Sequence, residues 1–115
     1  MIYIIKMEDY KNQYNEACVA IEVSISESKK IIICGPEGSG KSYLQKKYIG
    51  LLNEKNYDVY YGIEDYLGYH RIHGRVSGFK NDLYWIEVVT KDKSRIADIF
   101  DDDFVFIELH LPYPR

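Results

Sequence analysis

A chain of 115 residues is long enough for one domain with a modest core, so no disulfide staple is needed to hold it together. Apolar residues make up 46% and charged residues 29%, the balance of a soluble globular protein; a net charge of −3 excludes an overall basic field for nucleic acid and leaves only a local patch. The apolar runs are too short to cross a membrane and no signal-type apolar stretch opens the chain, which makes a cytoplasmic setting the expectation.

Cys18 and Cys34 fall in a predicted helix and a predicted strand, where they read as small buried hydrophobes. Three scattered histidines without paired cysteines give no zinc pattern. Lysine outnumbers arginine 11 to 4, beside 15 isoleucines and 12 tyrosines; that bias is typical of AT-rich coding, as in many viruses.

Residues 2–5 are apolar but too few to assign. From residue 8 to 25 apolar side chains fall at Tyr10, Tyr14, Ala17, Cys18, Ile21 and Ile25, the stripe of an amphipathic helix. Ser24, Ser26 and Ser28 break it, closing an N-terminal segment of residues 1–28. Ile31, Ile32, Ile33 and Cys34 then form an unbroken apolar run, as expected of a central parallel strand covered on both faces.

The next eight residues carry the chemistry. Gly35, Pro36, Glu37, Gly38, Ser39, Gly40, Lys41 and Ser42 match G-x-x-x-x-G-K-[ST], between a strand and a helix-forming segment. Glycines at 35, 38 and 40 let backbone N–H groups turn inward toward phosphate oxygens, and the helix starting near Gly40 adds its positive end. In this pattern the Lys41 ammonium reaches the outer phosphates, the Ser42 hydroxyl holds Mg²⁺, and Tyr43 follows in the same first turn. The plain alternative is a glycine-rich turn that merely joins strand to helix.

Leu44, Tyr48, Leu51 and Leu52 continue at helical spacing to residue 53, with Gly50 costing about 1 kcal/mol relative to alanine. Residues 57–63 read as the next strand, so 29–63 form one β-loop-α-β unit with a right-handed crossover. Further on, 69–76 and 83–90 both look like strands; 77–82 between them has turn chemistry, which predicts a β-hairpin over 69–90. Residues 91–100 suit a short helix with Ile96, Ile99 and Phe100 inward, Asp101–Asp103 a solvated turn, and 104–109 a strong strand. The whole reads as a single α/β domain, with a mainly parallel sheet between helical layers.

A phosphate loop binds; hydrolysis needs an acid at the end of a neighbouring strand as well. Phe104, Val105, Phe106 and Ile107 closed by Glu108 supply one. With these two segments in view, the chain resembles the P-loop NTPase superfamily: 35–42 is similar to its Walker A motif and 104–108 to its Walker B strand, about half the chain with the unit between. Ile107-Glu108-Leu109-His110 looks like the corresponding segment of helicases and motor ATPases, but with one acid where those proteins have two. The resemblance implies an Mg²⁺-dependent ATPase, or one acting on another nucleoside triphosphate. Lys41 and Glu108 would be catalytic, and Glu108 would serve either the metal, beside Ser42, or the attacking water. The rival acid is Glu87, after Leu83, Tyr84, Trp85 and Ile86; its mid-strand position suggests a solvent-facing side chain.

In an extended 69–76, Arg71, His73 and Arg75 project from one face. They could grip a second phosphate, on an acceptor, a nucleic acid or a neighbouring subunit's nucleotide, or could simply be the wet side of a hairpin. Trp85 and most tyrosines read as core. Superfamily members usually continue the sheet beyond their Walker B strand, whereas here seven residues remain, so the resemblance implies a minimal version or one completed by a second copy or a partner protein. Phosphoryl transfer to a small molecule or polynucleotide, and nucleotide-dependent interaction without catalysis, are the other two functions the sequence leaves open.

Overall fold

In a computed structural model, residues 3–5, 10–73, 83–100 and 103–111 are described. The elements run β1 (Tyr3–Ile5), α1 (Tyr10–Ser26), β2 (Ile31–Gly35), α2 (Lys41–Glu54), β3 (Asp58–Tyr60), α3 (Ile63–His73) and β4 (Tyr84–Val89). A 3₁₀ segment (Thr90–Arg95), α4 (Ile96–Ile99) and β5 (Val105–Glu108) complete the chain.

All five strands form one parallel sheet in the order β1-β5-β2-β4-β3. The chain crosses the sheet from β1 through β2 to β3, then returns through β4 and β5 in the gaps. Residues on successive positions of β2 divide the core. Ile31 and Ile33 pack with Ala17, Ile21, Leu44 and Leu52 on the face covered by α1 and α2. Ile32 and Cys34 pack with Ile63, Ile96, Phe100 and Phe106 on the face covered by α3 and α4. Every residue from Ile31 to Cys34 is fully buried, which is why the run is apolar without alternation.

α1 and α2 end alike. Ser28 (φ 54°) and Asn56 (φ 61°) take the left-handed conformation just past each helix. Lys29 N–H donates to Ser24 O and Ser28 N–H to Ile25 O; Tyr57 N–H donates to Leu52 O and Asn56 N–H to Asn53 O. These are paired 6→1 and 5→2 closures, which satisfy the last carbonyls and turn the chain straight into β2 and β3.

Two expectations are corrected. Residues 63–73 are helical because Ile63, Tyr66 and Leu67, at steps of three and one, give the segment an apolar stripe that packs onto the sheet. Ile63 therefore opens α3 instead of closing a strand at 57–63, and β3 is confined to Asp58–Tyr60. No hairpin over 69–90 forms: residues 69–73 finish α3, β4 pairs in parallel with both neighbours, and 74–82 lie outside the described residues. β3 does not touch β2, since β4 lies between them. Among the described residues no helix is long and apolar enough to cross a membrane.

Candidate functional site

β2 and β4 are neighbours, yet the chain leaves β2 toward the α1/α2 face and leaves β4 toward the α3/α4 face. Divergence of two adjacent strands opens a crevice at their carboxyl ends, the place where parallel α/β sheets take ligands. The glycine-rich turn lies there.

Its geometry follows from its residues. A Cβ on Gly35 would stand 2.6 Å from Ser39 Oγ and 3.0 Å from both Leu109 Cβ and the Leu109 carbonyl oxygen, so only glycine fits. Gly38 (φ 77°) and Gly40 (φ 97°) bend the turn through left-handed conformations, and Ser39 N–H donates to Pro36 O at 3.2 Å. Gly40 caps α2 without a side-chain hydrogen bond, leaving the N–H groups of the first turn directed at the crevice. That end of a 14-residue helix carries N–H groups with no partner inside the helix, which can receive an anion.

Lys41 does not face open water. It is 9% exposed, and its ammonium donates to Gly35 O (2.7 Å) and Pro36 O (2.9 Å), curling back inside the turn. Burial holds its pKa below the ordinary lysine value, with Glu87 the first of the charges acting against that. One of its three donors remains for a ligand oxygen.

Ser42 Oγ donates to Glu87 Oε1 at 2.8 Å. Glu87 is buried, against the solvent-facing position expected for it. Alternation along β4 puts Trp85 and Glu87 on the α1/α2 face, while Tyr84, Ile86 and Val88 point the other way. Burial pushes the Glu87 carboxyl up, and the Ser42 hydroxyl, among others, pulls it down. Its second oxygen, Oε2, is buried and makes no bond of hydrogen-bonding geometry, while the Trp85 indole, next after Ser42, also pulls the carboxyl pKa down.

Glu108 stands elsewhere. On β5 opposite Cys34 it points to the α3/α4 face, where the Lys93 ammonium pairs with its Oε2. His110 Nε2 lies 3.4 Å from Oε1, without hydrogen-bonding geometry. The structure therefore joins Ser42 to Glu87, and the pairing of Ser42 with Glu108 expected for Mg²⁺ is not formed. Burial, and next the Glu108 charge, raise the pKa of the neighbouring Cys34 thiol, which is free like Cys18. Arg71 and His73 lie on α3, so the alternation that put them on one face with Arg75 no longer applies; Arg75 is outside the described residues.

The crevice has a volume of about 450 Å³ between Glu37, Gly38 and Gly40 of the turn, Lys41, Ser42 and Tyr43 of α2, Tyr61 beyond β3, and Glu87 and Val89 of β4. Pro36 and Ser39 belong to the turn without lining it. A larger hollow of about 760 Å³ between α1 and β5 is lined mainly by Val19, Ala20, Val23, Phe104 and Val105, and holds none of the turn's residues. It has the volume but not the chemistry.

Could the crevice hold a hard divalent cation? Among the described residues no three His, Cys, Asp or Glu side chains cluster as ligands. Mg²⁺ with a polyphosphate needs fewer: it keeps several waters and takes one or two protein oxygens plus phosphate oxygens. The Ser42 hydroxyl and the unpartnered Glu87 Oε2 fit that demand.

Two contributors were not singled out in the sequence. Gln13 on α1 is 1% exposed; its Nε2 donates to Leu111 O (3.0 Å) and its Oε1 accepts from His110 N–H (2.9 Å) and Leu111 N–H (3.2 Å). It thereby ties down the segment whose Leu109 packs on Gly35. Its signal was a polar residue four positions before Ala17 on the inward stripe. Lys93, the partner of Glu108, gave none. Comparison with protein-family models, with curated proteins and with solved structures found no match for this chain.

Proposed function

We propose that the chain binds a nucleoside triphosphate, ATP in the first instance, together with Mg²⁺, and hydrolyses it as a small P-loop NTPase. The observation that carries this reading is the Ser42–Glu87 hydrogen bond at the mouth of the glycine turn, in a crevice at the sheet's switch point.

The chain's own residues divide the work. Backbone N–H groups at the start of α2 receive phosphate oxygens, and the Lys41 ammonium swings its remaining donor to the outer phosphates. Ser42 and Glu87 hold the cation, which supplies charge neutralisation for the leaving phosphates. A charge completing the site from a second copy or partner protein fits the superfamily's use of arginine fingers.

A second reading is favoured by the Lys93–Glu108 ion pair, which occupies the acid expected to activate water. In that reading the protein binds nucleotide as a signal for association and does not turn it over. Isothermal calorimetry with each NTP and Mg²⁺, paired with phosphate release, tests both. Micromolar binding lost in Lys41→Ala supports the site, and unchanged binding overturns it. Steady release abolished by Glu87→Gln supports hydrolysis; binding without release leaves the interaction module.

A further inference from the structure

Ser42 and Tyr43 are consecutive in the first turn of α2, roughly 100° apart around the helix, and they meet opposite neighbours. Ser42 Oγ reaches Glu87 on β4. The Tyr43 ring turns the other way and meets Tyr14 of α1, with centroids 6.1 Å apart and planes inclined by 46°. In the sheet β4 lies on one side of β2 and β5 on the other, and α1 packs over β5. The crevice, which both residues line, therefore has a carboxylate on its β4 side and an aromatic ring on its α1 side.

That asymmetry gives the crevice a direction. A cation held by Ser42 and Glu87 bridges the two outermost phosphates of a triphosphate, so these lie toward β4 and the wall that carries Tyr61. The hydrogen-bond ladder of α2 opens with Leu44 N–H donating to Gly40 O at 2.9 Å. The N–H groups of Lys41, Ser42 and Tyr43 precede that bond, at the helix end where anions are received. A phosphate chain laid across them runs from the cation toward Tyr43. Its inner end, with the nucleoside attached, leaves the turn on the α1 side.

Tyr43 is 49% exposed there, with Tyr14 against part of its ring. Tyr14 is held in turn. Lys47, one helical turn after Tyr43, donates to the Tyr14 hydroxyl at 3.0 Å with its ammonium 4.9 Å from the ring centroid, and Tyr14 packs on the core under α1 and α2.

We propose that the Tyr43 ring is the stacking platform for the nucleobase of the bound nucleotide, backed by Tyr14. The inference rests on the reading of the glycine turn as a phosphate site and names what lies beyond the inner phosphate. Stacking uses the face that every base has, and a phenol ring reads no base edge. The protein therefore takes nucleoside triphosphates as a class and distinguishes them from inorganic polyphosphate.

Calorimetric binding of ATP, CTP and inorganic tripolyphosphate, each with Mg²⁺, to the full chain and to Tyr43→Ala, Tyr43→Phe and Tyr61→Ala provides the test, with circular dichroism as the check on folding. The unaltered chain is expected to bind both nucleotides about tenfold or more tighter than tripolyphosphate, the scale of one base–aromatic stack. Tyr43→Ala should erase that preference and leave tripolyphosphate binding unchanged, while Tyr43→Phe and Tyr61→Ala keep it. A preference that survives Tyr43→Ala, or is lost in Tyr61→Ala instead, overturns the platform and leaves the phosphate site standing. So does an unaltered chain that binds all three ligands alike. Failure of the unaltered chain to bind any of them overturns both readings.

Discussion

Ser42 and Glu87, 45 positions apart, meet through a 2.8 Å hydrogen bond that joins the first turn of α2 to the middle of β4. The bond uses one oxygen of a buried carboxylate and leaves the other without a partner. On the proposed function, that second oxygen is the atom a bound cation would use.

Glu87→Gln keeps an acceptor for Ser42 but removes the charge. We expect Mg²⁺ to strengthen nucleotide binding at least tenfold in the unaltered chain and hardly at all in the variant, as measured by calorimetry with and without EDTA. Without ligand the variant should be the more stable. The carboxyl pKa is raised in the folded state, so Glu87 costs no stability below the pKa of the unfolded chain and destabilises progressively as pH rises through the folded value. The gap in melting temperature between the two proteins should therefore widen from acid toward neutral pH.

Lys41 works in the opposite sense. Its folded pKa is lowered by burial, so the folded chain binds fewer protons than the unfolded chain at pH values between that lowered value and 10.5, and stability rises with pH across the window. A polyphosphate beside the ammonium raises the pKa again. Nucleotide binding at alkaline pH should then take up protons, seen as a dependence of the calorimetric heat on buffer ionisation enthalpy, and affinity should fall as pH passes the pKa of the free site. Lys41→Met should abolish both effects.

Two glycines in the turn should respond differently to alanine. Gly35→Ala drives a methyl group against the Leu109 carbonyl, a rigid neighbour, and should cost about 1–3 kcal/mol in urea denaturation as well as nucleotide affinity. Gly38→Ala meets open space, and its cost is only that of the left-handed backbone, about 1–2 kcal/mol. A Gly35→Ala protein as stable as the parent would show that Leu109 does not abut the turn.

Gln13 offers a separable test of the clamp on residues 110–111. Gln13→Ala removes all three of these part-buried hydrogen bonds and should cost about 1–3 kcal/mol. Gln13→Glu loses the donor to Leu111 O at neutral pH and recovers it on protonation. The variant should therefore be less stable than the parent at neutral pH by about the worth of one hydrogen bond, about 1 kcal/mol. Urea midpoints at pH 4 and 7 measure it.

β2, its turn and α2 were legible in the sequence because each carries a local signal: an unbroken apolar run, spaced glycines and a helical stripe. Glu87 was harder to place. β4 is apolar on both faces, so the sequence shows no alternation to say which way the one carboxylate points; register against β2 decides it, with Ile33 opposite Glu87. Glu108 looked better because it ends its strand, yet strand-end position says nothing about face, and Lys93 meets it across the α3/α4 side. Residues 69–76 were read as extended, but the helix whose apolar stripe is Ile63, Tyr66 and Leu67 runs on to His73. Burial of that stripe against the sheet outweighed local preference.

The central strand pairs only with β4 and β5, both drawn from the last third of the chain. As the polypeptide leaves the ribosome, the glycine turn emerges long before either flanking strand exists, and a parallel strand has no near neighbour in sequence to zip against. The turn is thus set late: a nascent chain stopped before residue 84 has the whole glycine motif and neither of the two strands that flank it.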